Sequence, residues 1–288
     1  MFDPQTNKFP YPVETDKHYL QVKKDRGLVF DTDYPYVDRS PKFRFKQQLM
    51  RIALTVLVFP VVRVRLGLRV NGRENLKKHM DEIKNGILSC CNHVHMWDYL
   101  AIMSAITPIR PNVLTWGPNI NGENGPVMRL VGAIPIPETG LAATRKYLNS
   151  VSDLLGSGEW LHVYPVGSMW EYYEPIRPFK RGTAFIACDN DKPILPLAFS
   201  YREPGWLRKK IFRQIACFTL NIGEPLYKNA ELSKKEQTDD LTRRSHDEVC
   251  RLAGIDPEKN LYGPLHDKGS RRIDYYTTEY GVGYKGSH

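Results

Sequence analysis

The chain has 288 residues, of which 41% are hydrophobic and 25% are charged, and this balance excludes a disordered or low-complexity protein. No uninterrupted apolar run approaches the roughly 18 residues of a membrane-spanning helix. The five cysteines are scattered, odd in number and without CxxC spacing, which excludes a disulfide framework or a cysteine zinc site and indicates a reducing compartment.

The amino-terminal part of the chain predicts two segments. Residues 1–38 are rich in Pro, Tyr and Asp and predict an extended arm. Residues 39–80 carry eleven Lys and Arg against one acid, Glu74, so this segment has a charge of +10 and the rest of the chain sums to −1. It contains the apolar run 52–62, which is too short to span a bilayer and which Pro60 is expected to break as a helix.

Short apolar runs bordered by cations are typical of a basic amphipathic segment that lies on an anionic membrane surface. An ordinary core helix with a solvated rim is the alternative, and the residues alone do not decide between the two. The cations alternate with aliphatic side chains more than with stacking aromatic ones, and no nucleic-acid motif is present, so no nucleic-acid partner is expected.

From residue 81 to residue 255, short apolar runs alternate with helical patterns. The predicted strands are 86–91, 112–116, 133–136, 159–165 and 193–201, a further apolar run covers 215–222, and the predicted helices are 96–106, 141–155 and 234–252. Alternation of this kind predicts a single α/β domain, a mixed sheet flanked by helices. Residues 256–288 predict a polar C-terminal tail.

The segment NHVHMWD, residues 92–98, lies where a predicted strand ends and a helix begins, the usual position of active sites in α/β sheets. On a continuous helix His93 and Asp98 would be about 140° apart, so they meet only if His93 lies in the turn and Asp98 reaches back from the first helical turn. In that geometry the carboxylate fixes the imidazole tautomer and leaves the other nitrogen as a general base. No Gly-x-Ser-x-Gly elbow is present, which indicates that a substrate hydroxyl is the nucleophile.

Two other interpretations of this segment stay open. In the first, Asn92 caps the helix and the histidines are structural. In the second, His93, His95 and Asp98 ligate the metal of a hydrolase, because His-x-His is a common ligand spacing. The longer pattern of binuclear hydrolases fails, however, since Trp97 and Asp98 stand where that pattern needs Asp and His. We therefore predict no metal.

Several blocks, in order, resemble the glycerolipid acyltransferase family, the bacterial 1-acylglycerol-3-phosphate acyltransferases and their relatives. NHVHMWD resembles the family's His-x4-Asp motif, and YPVGS (164–168) resembles its Phe-Pro-Glu-Gly-Thr motif. Further similar blocks are PFKRGTAFIAC (178–188), KPILPLAFS (192–200) and IGEP (222–225). The ordered set covers roughly residues 42 to 226.

The resemblance implies an acyltransferase that moves a fatty acyl group from a thioester, acyl-CoA or acyl carrier protein, to a lipid hydroxyl at the cytoplasmic face of a membrane, with no other cofactor. It implies that His93 is the base and that Asp98 holds it. Backbone N–H groups near Gly167 and Ser168 would stabilise the oxyanion. The predicted substrate-binding residues are Val166, Gly167, Ser168, Lys180, Arg181 and Arg145.

Three departures from the family pattern concern the acceptor. Val166 stands where the motif has Glu, Met169 where Arg is frequent, and Glu138 where a phosphate-binding Arg is expected. Because a carboxylate repels a phosphate monoester, the predicted acceptor is a lysophospholipid with a larger headgroup or another membrane alcohol. Glu171 or Glu174 could replace the lost carboxylate if the loop folds back. Otherwise Val166 disables the enzyme and leaves a protein that binds lipid without turnover.

Overall fold

The computed structural model describes residues 25–138, 140–260, 275–278 and 281–284. The helices are α1 (Pro41–Ala53), α2 (Phe59–Leu66), α3 (Arg73–Lys78), α4 (Met80–Lys84), α5 (Asp98–Ile106), α6 (Gly117–Asn121), α7 (Gly125–Leu130), α8 (Leu141–Gly156), α9 (Gly182–Asp189), α10 (Trp206–Phe212) and α11 (Lys234–Leu252). The strands are β1 (Arg69–Asn71), β2 (Ile87–Cys90), β3 (Asn112–Trp116), β4 (Ala133–Ile136), β5 (Trp160–Val163), β6 (Ile194–Arg202), β7 (Cys217–Ile222), β8 (Tyr275–Thr278) and β9 (Gly281–Tyr284).

The first seven strands form one sheet in the order β1-β7-β6-β2-β5-β3-β4. All neighbours in this sheet are parallel except β6 and β7, which are antiparallel. Strand β2 is central, and all four of its residues are buried. Because parallel strands need crossover connections, helices cover both faces of the sheet. The predicted α/β fold with a mixed sheet is confirmed, as is each of the five predicted strands, and the apolar run 215–222 contains β7.

Two apolar clusters fill the space between the sheet and its helices. Successive side chains of a strand point to opposite faces. Leu88 therefore packs with residues of α8, α9 and α11, whereas Ile87 packs with residues of α2 and α5. This double burial fixes the carboxyl end of β2, from which the next loop leaves.

The amino-terminal helical segment differs from the prediction at Pro60. Instead of breaking there, the helix continues from α1 through a π-helical turn, Leu54–Val58, into α2. Pro60 stands in the first turn of α2, where a missing N–H and a fixed φ are tolerated. In the π turn before it, the N–H of Phe59 donates to Leu54 O, five residues earlier. The expectation that Pro60 ends the helix was wrong for this reason.

This helical segment is buried on one side only. Leu54, Phe59, Val62 and Leu66 are buried, and Arg63 donates from Nε to Ser104 Oγ of α5 at 2.6 Å. Seven large apolar side chains of the same segment face outward: Phe45, Leu49, Ile52, Val56, Leu57, Val61 and Val64. None of the helices in the described residues has both the length and the apolar character needed to cross a membrane.

The sheet begins before residue 81, the predicted start of the α/β domain. Strand β1 pairs with β7, so the sheet begins inside the segment predicted as 39–80. Residues 1–24 of the predicted arm lie outside the described residues. Its described part packs on the domain through Tyr36, which is buried, and through Arg129, which donates to the carbonyl oxygens of Pro35 and Tyr36 at 2.6 and 2.8 Å.

Candidate active site

The loop 91–97 carries the polar side chains that leave the carboxyl end of β2. Asn92 is the first, and it continues the strand: its side-chain amide donates to Phe199 O at 3.0 Å and its Oδ1 accepts from Phe199 N at 2.8 Å. Asn92 therefore fastens the loop to β6 and does not cap a helix. His93 follows in the loop, and Asp98 is the first residue of α5.

His93 and Asp98 meet in the way that the spacing required. Nδ1 of His93 lies 2.7 Å from Asp98 Oδ2. The carboxylate also accepts from the backbone N–H of Val94 at 3.0 Å and from the hydroxyl of Tyr164, on Oδ1, at 2.8 Å. The histidine loop, through His93 and Val94, and Tyr164 thus converge on one buried carboxyl group.

The pKa of Asp98 reflects two opposed effects. Burial alone would raise it, because the side chain is only 1% exposed. The charge of His93 and the hydrogen bonds from His93, Tyr164 and Val94 outweigh burial and lower the pKa below its ordinary value. Asp98 is therefore ionised at neutral pH and accepts the Nδ1–H of the imidazole. The basic lone pair of His93 is then on Nε2.

Nε2 of His93 is not hydrogen-bonded by any described residue, and the side chain is 23% exposed. The imidazole lies flat on the ring of Tyr164, with centroids 3.9 Å apart and planes at 13°. Stacking and the Asp98 contact together fix the ring plane, so the direction of the Nε2 lone pair is fixed as well.

A second histidine lies beneath this stack. His162 contacts Tyr164 edge to face at 4.5 Å and shares a hydrogen bond with Ser89 Oγ at 2.8 Å. Burial lowers the pKa of His162 to about 3, so this ring is neutral and does not compete with His93 for the charge of Asp98. Its Nε2 is buried and meets no hydrogen-bond partner among the described residues.

The loop 164–172, which contains the YPVGS block, docks directly on the histidine loop. The backbone N–H of Trp170 donates to His93 O at 3.1 Å, and that of Tyr172 donates to Val94 O at 2.8 Å. These main-chain bonds place the two predicted motif blocks side by side. The sequence gives only the order of the two blocks along the chain. The structure shows that they are in contact.

Of the two predicted oxyanion donors, one is already used. The N–H of Gly167 donates to Tyr164 O at 3.0 Å, whereas the N–H of Ser168 bonds to none of the described residues. Ser168 is buried, and its Oγ accepts from Arg177 Nη1 at 2.9 Å. The guanidinium of Arg177 is itself buried and lies over the Trp170 ring at 4.3 Å, so Arg177 braces this turn from inside.

Val166 lies in the apolar core. It is 3% exposed and belongs to the cluster that contains Val163, Ile176 and Phe179. Its side chain therefore packs beneath the turn, and in this conformation a carboxylate at the same position would be buried among apolar groups.

The predicted cationic residues divide by location. Lys180 is exposed beside Gly167, where its Cε and Nζ would lie 3.1 Å from an added Cβ. Gly167 has φ +83°, a conformation that disfavours other residues. Arg181 forms an ion pair with Asp239 of α11 at 2.6 Å, and Arg145 is exposed on α8. Lys180 is thus the predicted cation that the structure places at the turn.

Glu171 lies at the site, next to His95. Its Oε1 is 3.8 Å from His95 Nε2, while His95 Nδ1 accepts from the N–H of Trp97 at 3.0 Å. Burial raises the pKa of Glu171 and lowers that of His95. No group of three or more His, Cys, Asp and Glu side chains among the described residues is arranged to hold a metal ion.

Sequence reasoning missed Tyr164. The YPVGS block was compared with a motif that begins with Phe, and the extra hydroxyl of Tyr is the group that reaches Asp98. The substitution of Tyr for Phe was therefore the available signal. His162 gave no such signal, because a lone histidine in a strand does not show which ring it faces.

These observations can be set beside known proteins. A family model described as Acyltransferase matches residues 67–200, a range that contains His93, Asp98 and the whole loop 164–172. Residues 67–200 therefore form an acyltransferase domain, and the protein is an acyltransferase.

The crystal structure of the 1-acyl-sn-glycerophosphate (LPA) acyltransferase PlsC from Thermotoga maritima is similar at 17% identity, with a TM-score of 0.45, over 76% of this chain and 84% of that chain. At that TM-score the likeness adds no argument, and the assignment rests on the family match. No curated protein sequence matches the chain significantly.

Proposed function

We propose that this acyltransferase is membrane-associated and moves a fatty acyl group from an acyl thioester, acyl-CoA or acyl carrier protein, to the hydroxyl of a lysophospholipid or related lipid. The observation that carries the proposal is the oriented His93. A buried carboxylate occupies Nδ1 at 2.7 Å, and Nε2 has no partner among the described residues. This is the arrangement of a general base whose nucleophile comes from the substrate.

The reaction follows from that geometry. The acceptor hydroxyl gives its proton to Nε2 of His93 while its oxygen attacks the thioester carbonyl carbon. Asp98 stabilises the imidazolium that forms. The tetrahedral intermediate then expels the thiolate, which takes the proton back from Nε2, so His93 ends the cycle unchanged. The products are an ester and a free thiol.

The negative oxygen of the intermediate needs a donor, and we assign this role to the N–H of Ser168. Arg177 holds Ser168 in place from the buried side. An N–H fixed before reaction stabilises the developing charge without reorganisation. Lys180, beside Gly167, is the cation assigned to a phosphate of donor or acceptor.

The membrane supplies the acceptor in this proposal. The outward apolar side chains of α1, the π turn and α2, together with the exposed Lys42, Arg44 and Lys46, support a segment lying in the headgroup region of an anionic bilayer. We place the protein at the cytoplasmic face of a membrane, bound peripherally, with no cofactor besides the thioester co-substrate and no nucleic-acid partner.

An acceptor panel tests the reaction class. Wild-type protein is incubated with an acyl thioester and, separately, with lysophosphatidic acid, lysophosphatidylcholine, a glycolipid and a long-chain alcohol. Free thiol and the esterified lipid are measured together. We expect both to appear at equal rates with at least one acceptor other than the phosphate monoester. Release of thiol without any lipid ester would show a thioesterase and contradict the proposal.

A further inference from the structure

The connection between β6 and β7 carries an amphipathic element that sequence reasoning did not predict. It contains α10, and its apolar side chains face outward: Trp206 is 71%, Leu207 56% and Ile211 62% exposed. Phe212 and Ile215 are exposed too. Soluble proteins rarely expose so many neighbouring apolar side chains without a partner.

Polar side chains occupy the inner side of the same element. Arg208 donates from Nη1 to Val64 O of α2 at 2.6 Å and to Gln214 Oε1 at 3.2 Å. Gln214 is buried and donates from Nε2 to Ala216 O at 2.9 Å. The usual pattern, apolar side inward and polar side outward, is therefore inverted. The polar contacts hold the helix with its apolar side chains pointing away from the protein.

Cations border this apolar surface. Lys209, Lys210 and Arg213 are exposed, and the neighbouring acid, Glu203, forms an ion pair with Lys209 at 2.8 Å. The ammonium group of Lys210 lies 5.0 Å from the Trp206 ring centroid. Aromatic and aliphatic side chains ringed by cations are complementary to an anionic bilayer, which offers phosphates above acyl chains. A water-soluble protein partner would not require apolar side chains to be surrounded by cations in this way.

The element also adjoins the two surfaces that the proposed function uses. Arg208 ties it to the end of α2, whose Val61 and Val64 are exposed. Strand β7, which follows the element, brings Phe218 to 5.4 Å from the His95 ring. A lipid that left the bilayer beside α10 would thus be near the loop that bears His93.

We propose that residues 206–215 insert into an anionic phospholipid bilayer as a second membrane-binding element, continuous with the exposed side of α2. The inference rests on the membrane association in the proposed function and extends it to this element.

Vesicle sedimentation tests the proposal. Vesicles of phosphatidylcholine with about one quarter phosphatidylglycerol are mixed with wild type, with Trp206→Ser/Ile211→Ser, and with Val127→Ser/Leu141→Ser. The last variant is the matched control, because it removes two exposed apolar side chains from α7 and α8. We expect the first variant to partition at least roughly 100-fold more weakly than wild type, about tenfold for each lost side chain, and the control to stay within about twofold.

Thermal unfolding of each variant shows that it has folded, and quenching of tryptophan by brominated lipid in wild type but much less in Trp206→Phe would place that side chain among the acyl chains. Equal partitioning of wild type and the α10 variant, or equal losses in both double variants, would overturn the assignment. So would a concentration-dependent dimer that the α10 substitutions abolish, since the surface would then bind a second copy. Acyl transfer by wild type in detergent, without vesicles, reports on the proposed function separately.

Discussion

Asp98 accepts more hydrogen bonds than orienting one histidine requires, and the contact with Tyr164 is the least expected of them. Burial and the charge of Asp98 raise the pKa of the Tyr164 hydroxyl far above its ordinary value, so the hydroxyl keeps its proton and donates it. The same ring stacks on His93. Tyr164 is therefore a positioning residue that acts on both members of the pair.

Tyr164→Phe keeps the stacking ring and removes only the hydrogen bond to Asp98. A hydrogen bond to a charged group contributes about 1.5–3 kcal/mol. Only part of this free energy is expected to appear as a higher activation barrier when the hydroxyl is removed. We expect kcat to fall about tenfold with KM within about twofold, measured by thiol release. Tyr147→Phe is the control, since Tyr147 is buried and its hydroxyl bonds to none of the described residues. Equal rates for Tyr164→Phe and wild type would show that the hydroxyl is dispensable.

The pH dependence of kcat/KM follows from the same pair. Because the pKa of Asp98 is lowered, this carboxyl stays ionised as pH falls through the range from about 8 to about 5. A general base must be unprotonated to act, and because Asp98 does not change its charge in this range, a single proton on the base enters the rate. We expect log kcat/KM to fall with a slope of one as pH decreases. A slope of two would show that a second group must also lose a proton.

The turn formed by 166–170 is held from the core. Val166 is packed beneath it, and Arg177 is hydrogen-bonded to Ser168 and stacked on Trp170. Val166 stands where the motif of the similar family has Glu. In this chain its apolar side chain and the buried guanidinium of Arg177 hold the turn. Val166 therefore packs beneath the turn that carries the Ser168 N–H, and we expect its replacement to change the stability of this turn.

Val166→Glu is expected to destabilise the protein by about 3 kcal/mol or more, because the carboxyl group is buried without a partner or forces the turn open. Thermal and urea unfolding measure the loss. Val166→Thr, which conserves volume, should cost clearly less. A Val166→Glu protein with an unchanged melting temperature and faster acyl transfer would contradict this account, because the carboxylate would then reach the substrate.

The elements show where sequence reasoning succeeds. The sequence was sufficient to predict the buried strands β2, β3 and β4 and the amphipathic helices α8 and α11. In these elements the local pattern of apolar residues follows the side chains that face the core. The His93–Asp98 contact was predictable too, because both ends lie within one strand-to-helix junction. Family resemblance added the 164–168 block, and chain order placed it after the histidine loop.

Other features depend on contacts that no local pattern contains. Pro60 does not end its helix, because it stands in the first turn of α2 after a π turn, and α2 is held against α5 by contacts such as Arg63 to Ser104. From the sequence alone, the apolar side chains of α10 would be expected to face the core, whereas in the structure they face outward. Arg177 is enclosed by Ser168 and Trp170, contacts that no sequence pattern indicates. In each case the partner is distant in sequence, so composition could not reveal it.

At the scale of the whole molecule, charge and apolar surface are concentrated in the same region. Residues 39–80 carry a charge of +10, whereas the whole chain has +9, and the helical part of this stretch also exposes apolar side chains. Attraction to anionic phosphates acts over about one Debye length, roughly 8–10 Å at physiological salt. In the proposed membrane association, the cations at the start of α1 would draw the protein to the bilayer, and the apolar side chains would retain it.

Lys42→Gln/Lys46→Gln should weaken binding to phosphatidylglycerol vesicles by roughly 30-fold at low salt, since each surface cation contributes about 1 kcal/mol. The difference from wild type should shrink at high salt. Lys234→Gln/Lys235→Gln makes the same change of charge at the start of α11, where both lysines are also exposed, and should bind nearly as wild type does. If both double variants lost affinity equally, net charge alone and not this segment would control binding.

In the proposed reaction, His93 activates an acceptor hydroxyl for acyl transfer. Its most direct test is acceptor-dependent release of free thiol from an acyl thioester, compared among wild type, His93→Ala and His79→Ala; the last removes a histidine that contacts Glu82 and Glu224 away from the site. We predict roughly a thousandfold lower rate for His93→Ala and a rate within about twofold of wild type for His79→Ala. Acceptor-dependent thiol release that continued undiminished in His93→Ala would contradict the account.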